Sequence, residues 1–162
     1  MYDLMKTSGP LQELRNKDAL AKCNLLSEPF RLVLSEAAMA HLSEQRTDIL
    51  KQTGRVEFGE GVLVKLVDRF CDSPYLSQGE YEETLLALQE LFYNYKNECR
   101  DLLSDDELLE AMCLIYNEVS CGSTEFLADI PWEEMYQVGR TGNLEGTGLQ
   151  RPPLEGAYDE EE

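Results

Sequence analysis

The chain has 162 residues, 43% of them apolar and 28% charged, and carries a net charge of −18 from 32 acidic and 14 basic side chains. That length supports one domain with a core of its own, and the composition is that of a folding chain. A field of this sign repels phosphate backbones and anionic lipid, so neither nucleic acid nor a membrane is expected as a partner.

Five cysteines, Cys23, Cys71, Cys99, Cys113 and Cys121, form no CxxC pair, and no basic, apolar leader opens the sequence. No apolar run approaches the ~20 residues of a membrane span. The expectation is a cytoplasmic protein with reduced, mostly buried thiols.

Residues 1–9 read as a lead-in. Pro10 suits the first turn of a helix, which runs to about Asn24 with Leu11, Leu14, Ala21 and Leu25 on one face. In "SEPFRLVLS", Pro29 pushes Glu28 toward extended backbone, and Phe30, Leu32 and Leu34 alternate with Arg31 and Val33. This predicts a short extended linker with one apolar side, too isolated to found a sheet.

Ser35 is a good N-cap for the next helix, whose inner face carries Ala38, Leu42 and Ile49, and Gly54 stands where a terminating glycine belongs. "GEGVLVKLVDRFC" leaves one narrow polar stripe, Lys65, Asp68, Arg69 and Asp72, on an apolar cylinder. A buried strand is the rival reading. The spacing of three and four favours a mostly buried helix entered at about Glu60.

Ser77 with Glu80 reads as a capping box opening the longest helix, to about Leu102. Its seam is Tyr81, Leu85, Leu88, Phe92, Tyr95, Cys99 and Leu102, suited to lying beside the Val62–Cys71 segment, while Leu86 and Tyr93 fall off it. A second capping box, Ser104 with Glu107, opens a helix lined by Leu108, Met112, Ile115 and Val119 and closed near Gly122. Ser123 caps a short turn, and Trp132, Met135 and Tyr136 make a small apolar finish.

The fold expected is all-α: a compact bundle of about five helices in one domain over 10–137. Residues 138–162, with five glycines from Gly139 onward, two prolines and a "DEEE" end, read as a disordered acidic tail.

Tests for chemistry assign no catalytic residue, metal or cofactor. Di-iron sites need Glu-x-x-His, and Ala38 stands three before the only histidine, His41. "DLLSDDELLE" places leucines where a calcium loop needs ligands. "GRVEFGEG" lacks the Gly-Lys-Ser/Thr of a phosphate loop, has Val64 in place of the third glycine of GxGxxG, and carries Glu57 and Glu60 against any phosphate.

A surface reading is left. Leu86 and Tyr93 are either covered by a second layer of helices or part of an exposed patch. With Lys96 of "LFYNYKNE", and with Arg55 and Glu57, which have no evident structural duty, they form the candidate interaction surface. The function expected is a non-enzymatic protein-interaction or adaptor domain binding another protein. The alternative is a small enzyme or ligand sensor with a site assembled from Glu57, Tyr93, Lys96 and a cysteine.

The phrases "LVLSEAAMAHL", "GRVEFGEGVLVKLVDRFCDSPY", "LQELFYNYKNE", "LSDDELLEAM" and "CGSTEFLA", in that order, resemble an uncharacterised bacterial domain-of-unknown-function family of small acidic helical proteins. The resemblance spans about Leu32 to Ala128. It implies a free-standing bacterial cytoplasmic protein and supplies no activity, substrate or site residue.

Overall fold

The computed structural model of the chain describes residues 9–55 and 61–149, with side chains from Leu14 onward. Among these residues every regular element is helical: α1 (Gly9–Ser27), α2 (Glu36–Thr53), α3 (Leu63–Phe70), α4 (Tyr81–Glu98), α5 (Asp105–Glu118), α6 (Thr124–Ala128) and α7 (Trp132–Thr141). Single 3-10 turns stand at Glu28–Phe30 and Gln78–Glu80. The all-α expectation holds, with seven helices where about five were expected. The excess comes from the segments after Gly122, which carry enough apolar anchors to complete helices: Leu127 in α6, and Met135 and Val138 in α7.

Local chemistry sets most of the boundaries. Ser35 Oγ accepts from Ala38 N at 3.0 Å to start α2, and Gly54, at φ 71°, ends it by donating to Leu50 O and Lys51 O. Ser104 and Glu107 form a complete capping box at α5, with bonds of 3.1 and 2.9 Å. Ser123 caps α6 through Phe126 N at 3.0 Å.

The apolar run at 62–71 is a helix, which decides against the strand reading. Eight residues make a marginal helix alone. α3 persists because Leu63, Leu66, Val67 and Phe70 are all buried. It begins at Leu63; the expected entry at Glu60 lies outside the described residues. Gly61 precedes it at φ 87°, a left-handed backbone that glycine adopts without strain.

α4 differs from expectation at both ends. Ser77 makes no side-chain cap, and Gln78–Glu80 form a 3-10 turn instead of the first turn of the helix. At the other end the helix stops at Glu98, and Arg100 (φ 55°) and Asp101 (φ 59°) are left-handed. Those two residues break the register. The seam residues Tyr81, Leu85, Leu88, Phe92, Tyr95 and Cys99 are all buried, but Leu102 is 56% exposed and Leu103 is buried in its place.

The expected tail also starts too early. α7 runs to Thr141, Val138 and Gly139 are buried, and Gly142, at φ 77°, ends the helix with a 2.7 Å bond to Val138 O. Residues 150–162 and the lead-in 1–8 lie outside the described residues.

The chain divides into two compact units, residues 1–94 and 95–162. In the first, α1 packs on α2 and α3. Its core joins Cys23 of α1, Met39 and Leu42 of α2, Leu63 and Val67 of α3, and Tyr81 and Leu85 of α4; the helix packed along α3 is α1, so α3 and α4 share a core without α4 lying along the 62–71 helix as expected. In the second, α5 packs on α7 and α6. The Tyr95 hydroxyl lies 2.8, 3.2 and 2.6 Å from the carbonyls of Leu127, Ala128 and Ile130, tying down the end of α6. No helix among the described residues is long and apolar enough to cross a membrane.

Candidate functional site

The most distinctive local structure is the extended segment between the Glu28–Phe30 turn and α2. Arg31 is left-handed (φ 64°), and the chain then runs extended into the α2 cap. Alternation puts Leu32 and Leu34 into the core and leaves Val33 outside at 55% exposure. An extended backbone also alternates its N–H and C=O groups between two edges, and here side-chain amides take the place of neighbouring strands.

On one edge, Leu34 N donates to Asn24 Oδ1 at 2.8 Å and Asn24 Nδ2 donates to Leu34 O at 3.1 Å. On the other, Val33 N donates to Gln78 Oε1 at 2.8 Å and Gln78 Nε2 donates to Val33 O at 3.0 Å. Ser27 Oγ adds a 2.6 Å bond to Leu32 O. The Asn24 pair is half-buried, while the Gln78 pair is exposed.

A groove of about 470 Å³ opens along the Gln78 edge. Val33, Leu34 and Ser35 line one side, and Gln78, Gly79, Glu82 and Glu83 line the other, with Ala38 also contributing. Glu82 Oε2 meets His41 Nδ1 at 3.0 Å, both side chains being largely exposed. The groove thus combines an exposed aliphatic side chain, a backbone edge held by one amide, and two carboxylates. A second, smaller hollow of about 320 Å³ is lined by Asn16, Lys17, Leu20, Glu36 and Met39.

Of the five residues expected to form an interaction surface, Tyr93 is withdrawn from solvent. Its hydroxyl accepts from Arg46 Nε at 3.2 Å and its ring meets Phe92 edge-on at 5.1 Å. A second layer therefore covers it, because its helix is buried on more than its seam. Leu86 is half-buried against the core of the first unit. Arg55 is half-buried and its backbone N donates to Leu50 O, closing α2. Glu57 lies outside the described residues. Lys96, in the second unit, pairs with Asp105.

Burial, and then the Asp72 and Asp68 carboxylates, pushes the Cys71 thiol up. Burial and Glu98 push Cys99 up to about 11. Neither supplies a thiolate at neutral pH. No group of three or more His, Cys, Asp or Glu side chains among the described residues is placed to hold a metal.

The residues of the groove escaped sequence reasoning. Gln78 lies inside the stretch read as a Ser77–Glu80 capping box, which does not form. Glu82 and Glu83 are two acids among 32, and only the exposed position of Val33 in an alternating stretch hinted at an open edge.

A family model described as a family of unknown function (DUF6323) matches residues 19–145. No curated protein and no solved structure matches the chain.

Proposed function

The chain belongs to DUF6323, and on that footing we propose that it is a non-enzymatic protein-interaction domain whose contact face is the groove at Val33. One observation carries this reading. An aliphatic side chain, Val33, stands exposed beside a backbone edge whose hydrogen bonds are met by a single exposed side chain, Gln78. Such an edge offers a partner main-chain bonds and an apolar contact together. The five cysteines are free thiols, which supports a reducing compartment. Together with the family resemblance, this is why we place the protein in a bacterial cytoplasm.

A photo-crosslinking amino acid at position 33, compared with one at the exposed Lys51 of α2, tests the reading in the cell that makes the protein. The expected result is a discrete covalent adduct with one protein at 33 and none at 51. No adduct at 33, with a stoichiometric metabolite retained in native mass spectrometry, would overturn it in favour of a ligand sensor.

A further inference from the structure

We propose that the groove binds an extended, basic peptide segment of a partner protein, and that the Gln78 amide is the placeholder this segment displaces. The inference rests on the reading of the groove as a protein contact face and adds the chemistry of its occupant.

The hydrogen-bond geometry supplies the first half of the argument. Gln78 presents one donor and one acceptor to Val33, at 3.0 and 2.8 Å. A peptide unit of an added strand presents the same pair. Because the Gln78 bonds are exposed, exchanging them for a peptide's bonds replaces like with like and leaves no buried group unsatisfied. The Asn24 clasp on the opposite edge is half-buried and holds the segment extended while Gln78 is released. Only one edge is therefore offered. Ser35 O is already engaged by Met39 N, so the added strand gains a single two-bond bridge at Val33.

Charge supplies the second half. Glu82 and Glu83 line the groove, and no lysine or arginine does. The protein as a whole carries −18. Lys or Arg side chains alternating along an extended segment reach these carboxylates while the intervening residues meet Val33. An acidic segment in the same place is repelled.

The test uses the full chain labelled with 15N and three synthetic peptides: acetyl-(Lys-Val)₃-Lys-amide, the same peptide with glutamate for lysine, and the lysine peptide N-methylated at alternate residues. The lysine peptide is expected to move the Val33 amide resonance in a saturable way that weakens with salt. Gln78→Ala, which removes the placeholder, is expected to tighten binding about fivefold. Replacing Glu82 and Glu83 together by Gln is expected to weaken it about tenfold.

Equal binding of the glutamate peptide, undiminished binding of the N-methylated one, or a Gln78→Ala variant that binds no tighter would each overturn the proposal. A protein crosslink at position 33 without lysine-peptide binding leaves the contact face standing and removes only this occupant. Loss of both removes both.

Discussion

Lys96 of α4 and Asp105, the first residue of α5, form an ion pair across the turn that joins their helices, with the Lys96 side chain only 13% exposed and that of Asp105 38% exposed. The two partners do not have equal alternatives. Asp105 also sits in the first turn of α5, where the helix dipole favours a negative charge. Asp105→Ala removes both interactions, whereas Lys96→Met removes one and keeps the buried methylenes. The expected order in denaturant midpoint is a loss of about 1–3 kcal/mol for Asp105→Ala and under about 1 kcal/mol for Lys96→Met. The reverse order would show that the dipole contributes nothing at this end.

Gly139 invites the wrong substitution. In an exposed helix Gly→Ala stabilises by roughly 1 kcal/mol. Here a Cβ would lie 2.7 and 2.9 Å from the two methyls of Leu103 and 3.3 Å from Glu107 O, at the contact of α5 with α7. Gly139→Ala is expected to destabilise by about 1–3 kcal/mol, read from thermal melts. Adding Leu103→Val should recover part of that loss, since the shorter side chain lacks both clashing Cδ methyls.

That glycine also shows where the sequence stopped being legible. Helix starts were readable wherever a short polar side chain could bond its own N3 amide, as Ser35 and Ser104 do. Core positions were readable where spacing repeated at three and four, as from Tyr81 to Cys99. Three things were not. Left-handed residues at Arg100 and Asp101 swap Leu102 for Leu103; Asp tolerates that conformation better than most residues, but Arg100 carries no such mark. Gly139 looked like the start of a tail because composition does not distinguish a glycine chosen for flexibility from one chosen for a close helix contact. The candidate groove depends on two amides, Asn24 and Gln78, reaching 10 and 45 residues along the chain, and no local pattern encodes such pairing.

Phe92 is a fully buried residue of the α4 seam. Phe92→Ala is expected to cost about 3–5 kcal/mol, from lost transfer energy plus the cavity left behind. Chemical denaturation monitored by far-UV circular dichroism measures it. A change near zero would mean that the seam of α4 does not carry the core.

Alkaline pH should destabilise the protein through its buried thiols and phenols, of which Cys99 and Tyr81 define two windows. Burial and Glu98 raise Cys99 from 9.0 to about 11, and burial raises Tyr81 from 10.0 to about 12. In each case the unfolded chain loses its proton first. Between the two pKa values the folded state therefore binds more protons, and stability falls as pH rises. The contribution is fully present below pH 9 and is lost from about pH 9 to 11 for Cys99 and from 10 to 12 for Tyr81. Denaturant titrations at half-unit steps from pH 8 to 12 should show this decline. Cys99→Ala should make its first part shallower, with Cys71 contributing what is left, without shifting the second.

The two amide clasps on the extended segment should differ in what they hold. Asn24 bonds both groups of Leu34 from a half-buried position, so Asn24→Ala leaves a partly desolvated donor and acceptor at 34 and should cost about 1–3 kcal/mol. Gln78 bonds Val33 in the open, where water replaces it, so Gln78→Ala should cost less than about 1 kcal/mol. Amide hydrogen exchange separates the two directly. Val33 N–H should lose most of its protection in Gln78→Ala while Leu34 N–H keeps its own. In Asn24→Ala both should exchange faster, because the half-buried clasp is the one that keeps the backbone extended. Equal global costs for the two variants would mean that the Gln78 edge is structural, and its release by a partner would then be too costly to serve as a binding step.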